Sequence, residues 1–152
     1  MKIAFLGDSI TSGCGATNIG DRYVDHVEKI LNAEVLNYGV SGTRLARQKE
    51  VSSDPSTDYD FLARAENMDK DVDAVLVFGG TNDYGSGKAP FGQLVDQTPY
   101  TFCGAVNSLI EYLSLEYGQG KIGVILPLPR YNGNCKNESN NLTLFDYVKT
   151  IK

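Results

Sequence analysis

Three short glycine-containing segments carry residue types that together could perform acyl transfer. Ser9 supplies a hydroxyl group, Gly42 a backbone N–H and Asn82 a side-chain amide. A serine hydroxyl can attack an ester carbonyl, and fixed N–H donors stabilise the oxyanion of the tetrahedral intermediate. These residue types indicate a serine-dependent ester hydrolase, provided that the fold brings the three positions together.

We name these stretches the serine segment (Gly7–Thr11), the glycine segment (Asn37–Gly42) and the asparagine segment (Gly79–Asp83). Each follows a short run of residues that is typical of a buried strand, and a fourth such run comes later in the chain. Because loops at the carboxyl ends of parallel strands converge on one crevice, we expect the three segments to meet there. The predicted strands are Ile3–Leu6, Glu34–Asn37, Asp73–Phe78 and Ile122–Leu126.

Stretches with helical periodicity separate the strands, which predicts an α/β fold with a parallel sheet covered by helices. A helix is expected from Tyr23 to about Asn32, with Ile30 and Leu31 on its apolar face. The Thr98–Pro99 pair is expected to cap a second helix, which ends near Gly118. Two further helices are predicted, a short one around Phe61, Leu62 and Ala65 and a last one at Asn140–Ile151.

The length of 152 residues, 41% of them hydrophobic, fits a single domain over residues 1–152. In a β-α-β arrangement the last predicted helix would normally lead to another strand. We therefore expect the domain to be truncated at its carboxyl end and the natural protein to continue beyond Lys152.

Composition favours a small-molecule substrate as the partner. The net charge is −5, and no cluster of Lys or Arg could neutralise nucleic acid or an anionic membrane surface. The apolar run Ile3–Leu6 is too short for a signal-peptide core or a membrane span, so we expect a cytoplasmic protein. Oligomeric state is left open.

The three cysteines, Cys14, Cys103 and Cys135, predict neither a disulfide framework nor a metal site. Their number is odd, they are widely spaced, and no CxxC pair occurs. We expect reduced thiols and no cofactor or metal. Cys14 lies close to Ser9 in sequence, but a cysteine nucleophile is not favoured because no histidine matches it.

The three segments resemble the first three sequence blocks of the GDSL, or SGNH, hydrolases, a family of serine esterases and lipases. That resemblance implies a flavodoxin-like, three-layer α/β/α fold in which serine attacks an ester. It implies that Ser9 is the nucleophile and that the Ser9 and Gly42 N–H groups and the Asn82 amide form the oxyanion hole. Asp8 and Asp83 are expected to support their loops. The matching residues are Gly7-Asp8-Ser9-Ile10-Thr11, Gly39-Val40-Ser41-Gly42 and Gly80-Thr81-Asn82-Asp83.

The fourth block of that family, an Asp-x-x-His that supplies the general base, has no counterpart in these 152 residues. The one histidine, His26, falls within a predicted helix and is interpreted as a solvated side chain. A serine hydroxyl is a weak nucleophile until a neighbour accepts its proton. We therefore expect this chain alone to be nearly inactive and the base to follow Lys152.

Several alternatives stay open. A nucleotide- or flavin-binding module is disfavoured, because the glycines of the first loop do not form G-x-G-x-x-G. A non-catalytic domain that binds a ligand in the same crevice remains the second reading. The stretch Tyr84–Gln97 is either a substrate wall or an ordinary surface loop. For an enzyme, short acyl or acetyl esters, including those of carbohydrates, are favoured because no long apolar loop is present.

Overall fold

Four parallel strands form one sheet in the computed structural model, which describes residues 1–152. They are β1 (Lys2–Gly7), β2 (Glu34–Gly39), β3 (Ala74–Phe78) and β4 (Ile122–Ile125), in the spatial order β2-β1-β3-β4. Phe5 of β1 lies opposite Asn37 on one side and Leu76 on the other. All four strands were predicted, each to within two residues at either end.

Six α-helices connect or follow the strands. They are α1 (Ser9–Ser12), α2 (Tyr23–Leu31), α3 (Phe61–Ala65), α4 (Thr81–Ser86), α5 (Phe102–Tyr117) and α6 (Leu144–Ile151). Short 3₁₀ helices occupy Pro55–Asp58 and Gln119–Lys121. None of the helices combines the length and apolar composition that crossing a bilayer requires.

The alternation of side chains along β1 produces the layers of the fold. Ala4 and Leu6 point into a large core that α3, α5 and α6 cover, whereas Ile3 and Phe5 pack against Val24 of α2 on the opposite face. Successive strand residues face opposite sides of a sheet, so a strand buried on both faces is apolar throughout. The predicted α/β fold, with helices on both faces of a parallel sheet, is confirmed.

The predicted cap of α5 is wrong. The helix begins at Phe102, and the side chain of Thr101, not that of Thr98, accepts a hydrogen bond from the Gly104 N–H at 3.2 Å. The Thr101 hydroxyl in turn donates to Asp96 at 2.8 Å. The backbone of Thr98 instead packs against the side of the helix at Gly104, where a Cβ atom would collide with it. The cap is therefore selected by the contact with Asp96, which a dipeptide signal does not reveal.

The predicted apolar face of α2 is also partly wrong. Val24 is buried, but Ile30 is 79% exposed and Leu31 is 50% exposed. Ile30 lies about 120° around the helix from Val24, so it faces away from the sheet. Leu31 is the last residue of the helix. Only the first turns of α2 therefore cover the sheet.

Gly39 permits a close approach between β2 and α1, which gives a test of this packing. A Cβ atom at Gly39 would overlap the backbone nitrogen of Ser12. Because backbone cannot move as a side chain can, we expect Gly39→Ala to lower the free energy of unfolding by roughly 1–3 kcal/mol, measured by urea denaturation. Gly120→Ala is the matched control, since nothing lies within 4 Å of its added Cβ. Equal denaturation midpoints for the two variants would contradict this account of the packing.

Candidate functional site

Ser9 lies just past the carboxyl end of β1, at the first position of α1. Gly7 ends the strand, Asp8 forms the N-cap, and the helix closes after one turn at Gly13. The Ser9 side chain is half-buried. The serine segment thus presents a hydroxyl at the edge of the sheet where the other two segments also begin.

Asp8 holds the serine turn in place. Its carboxylate is 1% exposed and accepts a hydrogen bond from the Ile10 N–H at 3.0 Å. Burial raises the pKa of this carboxyl, while the Ile10 N–H and the nearby charge of Arg64 act in the opposite direction. A side chain that caps the helix in this way is engaged by the backbone. Asp8 is therefore placed to support the turn that carries Ser9.

Two hydrogen bonds connect the glycine segment to the serine segment. The Val40 N–H donates to the Gly7 carbonyl at 3.1 Å, and the Asn37 side-chain amide donates to the Thr11 carbonyl at 2.8 Å. Gly42 then adopts a φ of 78°, in the left-handed region that favours glycine. The two segments therefore lie side by side.

The asparagine segment contacts the residue that follows the glycine segment through the side chain of Asn82. Gly80 is the N-cap of α4, and Asn82 is the second residue of that helix. The Asn82 Nδ2 donates to the carbonyl of Thr43, directly after the glycine segment, at 2.9 Å. A side-chain amide carries two N–H groups, so one N–H of Asn82 remains without a partner in the protein.

Arg64, on α3, makes hydrogen bonds to the serine segment, to the glycine segment and to the residue that follows the glycine segment. Its guanidinium donates to the Gly7 carbonyl at 3.1 Å, the Tyr38 carbonyl at 2.7 Å and the Thr43 hydroxyl at 2.9 Å. Burial lowers the pKa of Arg64 to about 10, although the negative charges of Asp8 and Asp60 favour the charged form. One side chain thus contacts the ends of two strands and the turn that follows the second.

The site offers three hydrogen-bond donors that have no partner within the protein. The Ser9 N–H is at the first position of a helix, where no intrahelical acceptor exists. The Gly42 N–H makes no backbone hydrogen bond. With the second N–H of Asn82, these are the three groups that the family resemblance implies for an oxyanion hole, and all three follow the carboxyl ends of strands.

Asp83 anchors α4 to the stretch after the glycine segment. It is 3% exposed, and its two carboxylate oxygens accept hydrogen bonds from the Leu45 N–H at 3.0 Å and the Ala46 N–H at 2.9 Å. Burial raises the pKa of Asp83 to about 6, against the opposing effects of these two N–H groups and the charge of Arg44. Asp83 is therefore positioned as a support for the neighbouring Asn82.

Other predicted residues lie elsewhere. His26 is exposed on α2 and makes no hydrogen bond to Ser9, and Cys14 is exposed with a free thiol. Tyr84 does not belong to a loop: it is buried in α4, and its hydroxyl donates to the carbonyls of Asn132 and Cys135, both at 2.7 Å. The interpretation of Tyr84–Gln97 as a continuous loop is thus wrong at its start. No group of three or more metal-binding side chains occurs in the structure.

Arg64 and Thr43 were not among the residues predicted for the site. One signal for Arg64 was available, because it lies three residues after the buried Phe61 and one before the buried Ala65, on the inner side of a short helix. A charged residue at such a position requires buried partners. Nothing in the local sequence indicated that those partners would be main-chain carbonyls far along the chain.

The sequence matches the model of the GDSL-like lipase/acylhydrolase family over residues 5–148. The chain belongs to this family, and the resemblance seen in the three segments is confirmed. No curated protein matches the chain.

Solved structures show the same fold. A protein from Lactobacillus plantarum is 27% identical, with a TM-score of 0.76 over 99% of this chain and 69% of that chain. A candidate GDSL-like lipase from Bacteroides uniformis is 25% identical, with a TM-score of 0.67 over 99% of this chain and 77% of that chain. Another solved structure reaches 29% identity and a TM-score of 0.80, over 99% of this chain and 70% of that chain. Membership of this family makes the protein a hydrolase of the lipase and esterase type.

The buried Asp83 carboxyl predicts an unusual pH dependence of stability. Because the folded pKa of Asp83 is about 6, above the ordinary value of 3.8 for an aspartate, the native state binds the proton more tightly than the unfolded state. The contribution of Asp83 to stability therefore falls as the pH rises from about 4 to about 6. Asp83→Asn loses one of two acceptors and should cost about 1–3 kcal/mol near pH 4. We expect this cost to shrink at pH 7, measured by urea denaturation at both pH values.

Asp71→Asn is the control for this experiment, because the Asp71 side chain is exposed and accepts no hydrogen bond. Its effect should be small at both pH values. A cost of Asp83→Asn that grows between pH 4 and pH 7 would show that the carboxylate is favoured in the folded state, contrary to the burial argument.

Proposed function

We propose that this protein hydrolyses carboxylic esters through an acyl-enzyme at Ser9. The observation that carries the proposal is the set of three unpartnered donors, the N–H groups of Ser9 and Gly42 and one N–H of Asn82, beside a half-buried hydroxyl. Pre-oriented donors of this kind stabilise a developing oxyanion without reorganising during the reaction. Membership of the GDSL-like lipase/acylhydrolase family supports the same chemistry.

In the proposed reaction the Ser9 Oγ attacks the carbonyl carbon of the ester and gives up its proton to a base. The carbonyl oxygen becomes an oxyanion that accepts hydrogen bonds from the three donors. Collapse of this intermediate breaks the bond to the alcohol, which takes up a proton and departs. Water then hydrolyses the acyl-serine, releasing the carboxylic acid and restoring the hydroxyl.

The base is the part of this mechanism that the chain does not supply. His26 is exposed on α2, and the Asp8 carboxylate is engaged by the Ile10 N–H. The chain spans about 70% of the length of its solved relatives. The family resemblance implies an Asp-x-x-His as the source of the base, and these 152 residues contain no counterpart of that block.

The missing base also favours a second candidate function. A domain with the same three donors and no proton acceptor could bind the carbonyl or carboxylate of a ligand without cleaving it. Short acyl or acetyl esters, including those of carbohydrates, are the ligands proposed in either case. The two functions differ in whether the Ser9 hydroxyl reacts.

Replacing Ser9 separates these functions. We expect the 152-residue chain to hydrolyse p-nitrophenyl acetate slowly and with saturation, and Ser9→Ala to reduce the rate to that of buffer. Ser12→Ala, in the same helical turn, should keep the wild-type rate. With no imidazole to accept the proton, the Ser9-dependent rate should rise steadily with pH and not level off above about pH 6.5, the usual pKa of histidine.

Equal rates for wild type, Ser9→Ala and Ser12→Ala would show that the Ser9 hydroxyl does not react in this chain and would favour the binding function. A profile that levels off near neutral pH would instead show that these 152 residues already contain the base. Both outcomes are read from initial rates between pH 6 and pH 9.

Removing the Asn82 amide tests the oxyanion hole. We expect Asn82→Ala to lower the Ser9-dependent kcat by about 100-fold, or to background, with little change in KM, because the donor acts mainly in the transition state. Asn67→Ala is the matched control, since the Asn67 amide also donates to a backbone carbonyl, that of Ala63, but from the exposed turn that follows α3. An unchanged kcat in a folded Asn82→Ala protein would remove Asn82 from the mechanism.

A further inference from the structure

A polar groove of about 290 Å³ lies beside the asparagine segment. One wall comes from the stretch after the glycine segment, and the other comes from the end of α4 and the residues that follow it. The size is close to the lower end of the range of sites for small molecules. The charged side chains that line it are Arg44, Lys49, Glu50 and Lys88, and polar ones include Gln48 and Ser86.

Arg44 differs from every other arginine of the chain in having no partner. Arg22 and Arg47 donate to carboxylates, Arg64 donates to backbone carbonyls, and Arg130 donates to the Thr81 hydroxyl. The Arg44 guanidinium makes no hydrogen bond, and its Nε is buried. An unpaired, partly buried guanidinium is costly for a protein, and it suits planar anions that accept two hydrogen bonds at once.

The backbone around Arg44 is firmly held. The Arg44 carbonyl accepts a hydrogen bond from the Phe61 N–H at 3.1 Å. On one side the Thr43 carbonyl accepts from Asn82, and on the other the Leu45 N–H donates to Asp83. The guanidinium therefore projects from a fixed base, which reduces the entropy lost when it binds a ligand.

The groove is also positive in a protein that is negative overall. Arg44, Lys49 and Lys88 face one acidic residue, Glu50, whereas the net charge of the chain is −5. Lys88 and Glu50 form an ion pair at 3.2 Å, with both side chains more than 70% exposed. An exposed pair of this kind contributes little and does not close the groove. The local positive charge therefore favours binding of an anion, although the net charge of the whole protein is negative.

Each wall of the groove is connected to the proposed oxyanion site by a short stretch of chain. Arg44 directly follows Thr43, whose carbonyl accepts from the Asn82 amide. Ser86, on the opposite wall, lies one helical turn after Asn82, and its hydroxyl donates to the Asn82 carbonyl at 3.3 Å. A ligand that spans both would hold its carbonyl at the three donors and its charge at Arg44.

We infer that this groove binds an anionic group, a carboxylate or a phosphate, carried by the ester on which the protein acts. The guanidinium of Arg44 is the main contact, and Lys49 adds to the positive field. The anion-binding part of the inference stands on the groove itself. The assignment to the substrate rests on the proposed function.

Two measurements test these parts separately. Calorimetric titration of the 152-residue chain with benzoate and with phenyl phosphate measures anion binding without any reaction, and benzamide is the neutral probe. Hydrolysis of 4-acetoxybenzoate, 4-acetoxyphenyl phosphate and 4-acetoxybenzamide, each relative to its rate with hydroxide, measures substrate preference. Arg44→Gln removes the proposed contact, and Lys2→Gln, at the amino end of β1, removes the same charge as a control.

We expect at least one anion to bind more tightly than benzamide, with Arg44→Gln weakening that binding roughly 10- to 100-fold and Lys2→Gln leaving it unchanged. The better-binding anion identifies the group as carboxylate or phosphate, and its acetyl ester should have the lower KM. Binding that is equal in wild type and Arg44→Gln overturns the anion site. Anion binding with no Ser9-dependent hydrolysis of any ester overturns the proposed function and, with it, the assignment to a substrate. Hydrolysis of all three esters with equal KM overturns only the substrate assignment.

Discussion

The buried guanidinium of Arg64 is the interaction on which the arrangement of the site depends. It supplies donors to the carbonyls of Gly7 and Tyr38 and to the Thr43 hydroxyl, at the point where β1 and β2 end. Burying a charged group is costly unless it is hydrogen-bonded, and here three acceptors offset the cost. The same hydrogen bonds fix the two strand ends relative to each other, and they therefore also fix the distance between the serine and glycine segments. The Asn82 amide, through the Thr43 carbonyl, then adds the third segment to this frame.

Much of this frame is visible in the sequence because it depends on local patterns. The short apolar runs predicted every strand, and the glycine-rich segments after the first three predicted which loops would meet. The rule that loops at the carboxyl ends of parallel strands converge then placed Ser9, Gly42 and Asn82 at one edge of the sheet. Physical necessity also explains the glycine at position 39, because α1 approaches β2 too closely there for any side chain.

The sequence did not reveal contacts between residues far apart in the chain. Arg64 and its partner Gly7 are 57 residues apart, and Asp83 reaches the Leu45 N–H across 38 residues. No periodicity encodes such pairs, since only the folded chain determines which backbone groups lack partners. The wrong cap of α5 has a different origin: Asp96 is close to Thr101 in the chain, but the Thr98–Pro99 pair did not reveal that a contact with Asp96 would select Thr101. Local signals thus predicted the elements and the convergence of the site, whereas the supports of the site required the structure.

Asp83 shows how those supports connect the two halves of the site. It directly follows Asn82 in α4, and its carboxylate holds the N–H groups of Leu45 and Ala46, the residues that follow Arg44. The buried hydrogen bonds of Asp83 therefore connect the asparagine segment to one wall of the groove. The charge of Arg44 in turn favours the ionised form of Asp83, whose pKa burial raises to about 6. An anion bound at Arg44 would offset part of that positive charge and so favour the neutral carboxyl. Asp83 thus links the groove to Asn82, and an anion in the groove would change the balance of charge at Asp83 without touching it.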